Sequence, residues 1–236
     1  GYEINNNKVY FELDPDNVGE AVYVSTTDVQ KPASVMLTKY DKPDSESEIT
    51  NTPVDGAVYA LYRIGTENDK LITDKLITDR NGQVRVDNLL IGDYYFVETG
   101  KAVGYQLNND KIYFSVTTED AEIGVLVTTS TYDVRIKGSA TLVKTNPDGD
   151  YVKDAVFTLF DSNDQVVYDD LVTGTDGQII VRDLQWGSYY FKEKAAPTGY
   201  ELSDEKIEFE INRDNCETMQ VVYAENTEKL SIVRLI

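Results

Sequence analysis

The stretch GSYYFKEKAAPTGYEL, residues 187–202, decides how the chain is read. Tyr189, Tyr190 and Phe191 are aromatic strand formers and Gly199 marks a turn, so the segment predicts a β-strand running into a loop. Side chains alternate along a strand, which places Glu193 on the same face as Tyr189 and Phe191. Either that face meets water and Glu193 is ordinary solvation, or it meets a core, where a carboxyl group is expensive.

The stretch recurs. GDYYFVETGKAVGYQL (92–107) repeats it, with Glu98 at the place of Glu193. Upstream, TDRNGQVRVDNLLIG (78–92) matches TGTDGQIIVRDLQWG (173–187), and GAVYALYRIG (56–65) matches DAVFTLFDSN (154–163). These matches define two units of about a hundred residues, the size of single domains. A third, partial copy opens the chain: GYEINNNKVYFEL matches GYQLNNDKIYFSV (104–116) and GYELSDEKIEFEI (199–211). KLSIVRLI at the other end resembles ASVMLTK (33–39) and GSATLVK (138–144). The reading is therefore residues 1–30 as the late part of a preceding repeat, 31–136 and 137–228 as two complete domains, and 229–236 as the first strand of a following one. The late strands of 1–28 and the apolar strand at 229–236 are templates for each other, so weak head-to-tail association between molecules is a further expectation.

Within each unit, short β-branched and aromatic runs are separated by turn signals such as RNGQ, TDGQ and NPDGD. No segment sustains helical periodicity with caps. The class is all-β, as antiparallel sandwiches strung end to end.

Composition narrows the chemistry. The 236 residues are 41% hydrophobic, enough for real cores. With 22 basic against 42 acidic residues, a net charge of −20, the chain lacks the positive footprint that nucleic acid requires. It contains no His, which excludes His-based catalysis and His-ligated metal; Cys216 is the single cysteine, so it reads as a passive strand thiol. The acidic loops DPDN (14–17), NPDGD (146–150) and DSND (161–164) do not fit an EF-hand, and turn chemistry accounts for them. Trp186 and the 17 Tyr read as core or cross-strand aromatics before they read as a sugar platform. No apolar run has the length of a membrane span and no signal-peptide pattern opens the chain, which reads as either cytosolic or an excerpt of something longer.

Three polar positions keep the same place in each complete unit. Lys39 shares a face with Val35 and Leu37, and Lys144 with Ala140 and Leu142. Near the end of each unit Asp133 shares parity with Val125 and Val127, and Asn226 with Val222 and Ala224; in the partial copy Asp28 follows Val22 and Val24 in the same way. Eleven positions separate Asp28 from Lys39 (39 − 28) and Asp133 from Lys144 (144 − 133). From the GY tyrosine to the acid or amide the count is 26 for Tyr2–Asp28, 28 for Tyr105–Asp133 and 26 for Tyr200–Asn226, so the middle copy carries a two-residue insertion. Singly, each Lys reads as a snorkelling edge residue and each Glu as a solvated one. Matched parity, order and spacing in two units favour a shared chemical role.

A Lys in the first strand, GAVYALY, NGQ, YYFVE or YYFKE, APTGY, and an Asn or Asp in the last strand together resemble the Cna-B type, prealbumin-like domains of Gram-positive surface adhesins and pilins. The second unit fits closely, with YYFKEKAAPTGYEL and YAENTEKLSI. The first is looser, with TGKAVGY for KAAPTGY and Asp133 for the commoner Asn. The resemblance implies tandem Ig-like β-sandwiches, each closed by an intramolecular isopeptide bond, Lys39 to Asp133 and Lys144 to Asn226, promoted by Glu98 and Glu193. Burial favours a neutral, nucleophilic amine and a protonated carboxyl able to hydrogen-bond the partner's carbonyl and relay protons to the departing water or ammonia.

The function so implied is structural: stalk modules of a cell-surface adhesin or pilus, extracellular and attached to the cell wall, with neighbouring domains of the same protein as partners. No enzyme activity on external substrates, no cofactor, no metal, no nucleic acid and no membrane insertion are expected. The alternative is an adhesin domain that recognises a host protein or glycan.

Overall fold

The computed structural model describes residues 2–12, 15, 19 and 21–230. The first strand of each complete unit shows why the chain folds as it does. In β1 (Ala33–Lys42) every second residue is buried, and Ala33, Val35, Leu37, Lys39 and Asp41 form the inward row. β8 (Gly138–Thr145) repeats this with Ala140, Leu142 and Lys144. A period of two is what a strand with one wet and one dry face requires.

The remaining strands of the first unit are β2 (Val58–Arg63), β3 (Lys70–Ile77), β4 (Gln83–Leu89), β5 (Gly92–Gly100), β6 (Ile112–Val116) and β7 (Leu126–Val134). They form a three-stranded sheet, β4-β1-β7, and a four-stranded sheet, β3-β2-β5-β6. The second unit repeats both with β9 (Val156–Asp161), β10 (Val166–Val172), β11 (Gln178–Leu184), β12 (Gly187–Ala195), β13 (Lys206–Ile211) and β14 (Met219–Glu225), ordered β11-β8-β14 and β10-β9-β12-β13. The chain is thus all-β, two tandem prealbumin-like sandwiches. Contacts divide it into two compact units that change over near Asp133, with residues 42–48 and 103–106 counted with the second.

The cores are built from matching aromatics. Tyr59 meets Phe96 edge-on at 6.3 Å, and Phe157 meets Phe191 edge-on at 6.5 Å. Phe96 stacks on Phe114 at 5.4 Å, as Phe191 does on Phe209 at 5.5 Å. Tyr94 and Tyr189 bury their rings and donate their hydroxyls to the carbonyls of Leu90 and Gln185. A buried tyrosine keeps a polar partner in this way without giving up its apolar contact.

The register expected from the GY tyrosines is present in all three copies. Tyr2, Tyr105 and Tyr200 bridge Gln30, Arg135 and Glu228, in each case two residues beyond Asp28, Asp133 and Asn226. The two-residue insertion of the middle copy falls after Val116, where α1 (Thr118–Ile123) stands. Thr117 caps it reciprocally with Asp120, a short capping box that the sequence reading did not pick out. No helix among the described residues is long and apolar enough to cross a membrane.

Some expectations change. Val125 precedes β7 and is exposed, so it does not extend the inward row of Asp133. Val22, Val24 and Asp28 are exposed, so they do not form an inward row. Cys216 is buried in the turn before β14, not in a strand, because Asn212 and Asn215 close that turn through their side chains. The acidic loops 146–150 and 161–164 use their oxygens for turns: Asn146 accepts from the Asp150 N–H, and Asp161 from those of Asn163 and Gln165. Most of DPDN, and residues 231–236 of the expected following strand, lie outside the described residues.

Candidate functional site

In each unit the inward rows of three strands converge on one buried spot. In the first, β1 supplies Lys39, β5 supplies Glu98 from the row of Tyr94 and Phe96, and β7 supplies Asp133. The corresponding residues of the second unit are Lys144 on β8, Glu193 on β12 and Asn226, just past β14. All six are buried, and both lysines are wholly excluded from solvent. These six polar residues thus face inward, where an unpaired charge is costly.

In the first unit the Lys39 Nζ lies 2.8 Å from Glu98 Oε2, 2.6 Å from Asp133 Oδ1 and 2.6 Å from the Tyr59 hydroxyl. Close as it is to Asp133, the amine makes no hydrogen bond to either Oδ. The nitrogen therefore stands against the carboxyl group without being aligned to its lone pairs. Burial pushes the Asp133 carboxyl up to about 7, with Lys39 pulling it down and Glu98 pushing it up.

The second unit is arranged differently. Lys144 Nζ has no hydrogen-bond partner, and its nearest described aromatic contact is the Phe157 ring, 5.7 Å away at the centroid. Desolvation holds its amine below the usual lysine range, against the raising effect of Glu193, Glu205 and Glu225. Asn226 donates its Nδ2–H to Glu193 Oε1 at 2.8 Å, while its Oδ1 is unpartnered. The glutamate was expected on the carbonyl oxygen; it meets the amide nitrogen instead, since a carboxylate accepts and only the nitrogen end of the amide donates.

A backbone contact common to both units escaped the sequence reading. Glu98 Oε2 accepts the N–H of Asn108 at 3.1 Å, and Glu193 Oε2 that of Ser203 at 2.8 Å. Both donors stand four residues after the glycine of the GY turn, so the repeat of that turn was the available signal. Asn108 also donates its side chain to the Tyr132 carbonyl beside Asp133, as Asn5 does to the Thr27 carbonyl beside Asp28. The GY turn thereby fixes both the glutamate and the last strand. Tyr59 was the other omission: it stands directly opposite Glu98 in the β2–β5 pairing, where the second unit has Phe157 opposite Glu193.

Tandem prealbumin-like sandwiches, each with a Lys, a Glu and an Asp or Asn gathered in its core, define the class of this protein. The family model for the SpaA prealbumin-like fold domain matches residues 34–131 and 138–227, and the chain belongs to that family. Among solved structures, the TIE protein of Bacillus anthracis matches at 22% identity and a TM-score of 0.52, over 86% of this chain and 36% of that one. The chain thus spans about a third of that relative's length, and the likeness is one of fold. The streptococcal ancillary pilin matches at 22% identity over 93% of this chain and 69% of that one, with a TM-score of 0.38. BcpA, the major pilin subunit of Bacillus cereus, matches at 16% over 84% and 100%, with a TM-score of 0.36. No curated protein matches the chain.

Proposed function

We propose that the chain is a pair of stalk modules of an extracellular surface structure, a pilus or adhesin, each closed by an isopeptide bond between its first and last strands. Membership of the prealbumin-like family supports the structural role. The observation that carries the bond is the burial of an amine in both cores together with a carboxyl or amide near the end of the last strand, 2.6 Å from that carboxyl in the first unit, and beside a glutamate held by a backbone N–H. Buried ionisable groups of this kind cost stability unless they are paired or consumed.

The chemistry follows from the contacts. In the second unit the Lys144 lone pair bonds to Cγ of Asn226 and the Cγ–Nδ2 bond breaks. Glu193 passes one amine proton to Nδ2, which leaves as ammonia; its 2.8 Å contact lies on the leaving nitrogen. In the first unit the partner reacts as the protonated acid, a hydroxyl leaves as water, and Glu98 carries the proton. The sandwich supplies the proximity that a free amine lacks. Turnover stops after one event, so the reaction is self-modification, with the glutamate as its acid–base group.

The bond explains a mechanical role. β8 and β14 are neighbours and parallel, with Lys144 opposite Ala224, two residues before Asn226. A tie there carries tension from one terminal strand to the other and leaves the chain between them unloaded. Domain limits of 31–136 and 137–228 place one such tie in each unit.

Peptide mapping of the full chain tests the reading. A branched peptide joining Lys39 to Asp133 and another joining Lys144 to Asn226 are expected; Glu98→Ala and Glu193→Ala each abolish the branch of their own unit alone. Linear peptides at all four positions in the unsubstituted chain would overturn it.

A further inference from the structure

Resting on the isopeptide reading, we infer that Tyr59 is a further working residue of the first site: its hydroxyl holds one N–H of the Lys39 amine and turns the lone pair toward Asp133.

Tyr59 is wholly buried on β2, directly opposite Glu98, and its hydroxyl oxygen lies 2.6 Å from Lys39 Nζ. A neutral amine has two N–H bonds and one lone pair, and Nζ has three oxygen neighbours: Tyr59, Glu98 and Asp133. The assignment that permits reaction gives one N–H to Glu98, the other to Tyr59 and the lone pair to Asp133. Nζ then bonds to Cγ of protonated Asp133 and the Cγ–OH bond breaks. The N–H proton on Glu98 leaves with that hydroxyl as water, and the N–H on Tyr59 stays as the N–H of the new amide. Burial first, then the Glu98 and Asp133 charges, pushes the phenol's pKa up, so it remains a neutral hydroxyl and takes no proton from the amine.

The second unit supplies the comparison. There the same position is Phe157, Lys144 Nζ has no hydrogen-bond partner, and the electrophile is an amide. A lysine facing a carboxyl group is readily held as an ion pair, an unreactive state, so a third contact that fixes the amine's orientation matters more in the first unit. The second unit, with no competing ion pair to its electrophile, is arranged without that contact.

The test is a pulse-chase of the full chain, with intact mass followed against amide-exchange protection. Unsubstituted chain is expected to lose one water and one ammonia. Tyr59→Phe, a side chain the equivalent site already accommodates, is expected to acquire protection in β2 and β5 at the unsubstituted rate and to lose ammonia at the unsubstituted rate. Its loss of water should be about tenfold slower, the worth of one hydrogen bond in a transition state. A residue needed only for packing would delay protection as well. Replacing Tyr59 by 3-fluorotyrosine, which keeps the ring and weakens the oxygen as an acceptor, should give an intermediate rate. Water loss at the unsubstituted rate in Tyr59→Phe overturns the inference and leaves the isopeptide reading standing. Absence of water loss from the unsubstituted chain overturns the first-unit bond itself, and the inference with it.

Discussion

Asp133 and Asn226 occupy equivalent places, and in the proposed reactions the difference between them sets different pH behaviour. Only the protonated form of Asp133 can lose its oxygen as water, and burial raises that carboxyl to about 7. The proton is present below that value and lost above it, so for an amine already neutral the rate of bond formation in newly folded first unit should fall as the pH rises past about 7. The second unit has no such proton to lose, and its amine gains the reactive neutral form as pH rises through the lowered Lys144 value. Pulse-chase mass measurements between pH 6 and 9 should therefore show the two losses moving in opposite directions; parallel profiles would show that the protonation of Asp133 does not control its reaction.

At the scale of elements, the turn before β4 or β11 props up the strand that carries the buried lysine. Lys39 and Lys144 each donate their backbone N–H to the carbonyl of a turn glycine, Gly82 or Gly177, at 2.8 Å. Both glycines have positive φ, and a Cβ on either would lie 2.5 Å from the lysine's own carbonyl oxygen. Gly177→Ala should cost about 1–3 kcal/mol through backbone strain and displacement of β8. Comparing denaturant midpoints of Glu193→Ala with and without Gly177→Ala checks this free of any cross-link; equal midpoints would contradict it. This scale also separates what could be read from sequence from what could not. Val35, Leu37 and Lys39 announce their shared face because strand parity is local, and the glutamates announce theirs by following Tyr-Tyr-Phe. The contact of Tyr59 with Lys39 depends on which strands are brought together, and Tyr59 looks like any other core aromatic in GAVYALY. The backbone donors at Asn108 and Ser203 carry no side-chain signature for that role, and α1 is too short to show a period.

For the molecule as a whole, the positions of the two proposed ties matter more than their number. They enclose the 94 positions from Lys39 to Asp133 (133 − 39) and the 82 from Lys144 to Asn226 (226 − 144). By analogy with loop closure by a disulfide, each proposed tie would stabilise its unit by roughly 4–5 kcal/mol. Under tension the consequence of such a tie would be larger, because the enclosed chain could not lengthen. Single-molecule stretching of Glu193→Ala should release roughly 280 Å of extension, before subtraction of the folded span, that the unsubstituted second unit withholds; equal extension from both would mean that no tie bears the load.

The central claim, that both cores have reacted, is tested most directly by the intact mass of the denatured chain. The account predicts a mass below that of the sequence by one water and one ammonia together, unchanged by reductant. A mass equal to that of the sequence would contradict it in both units.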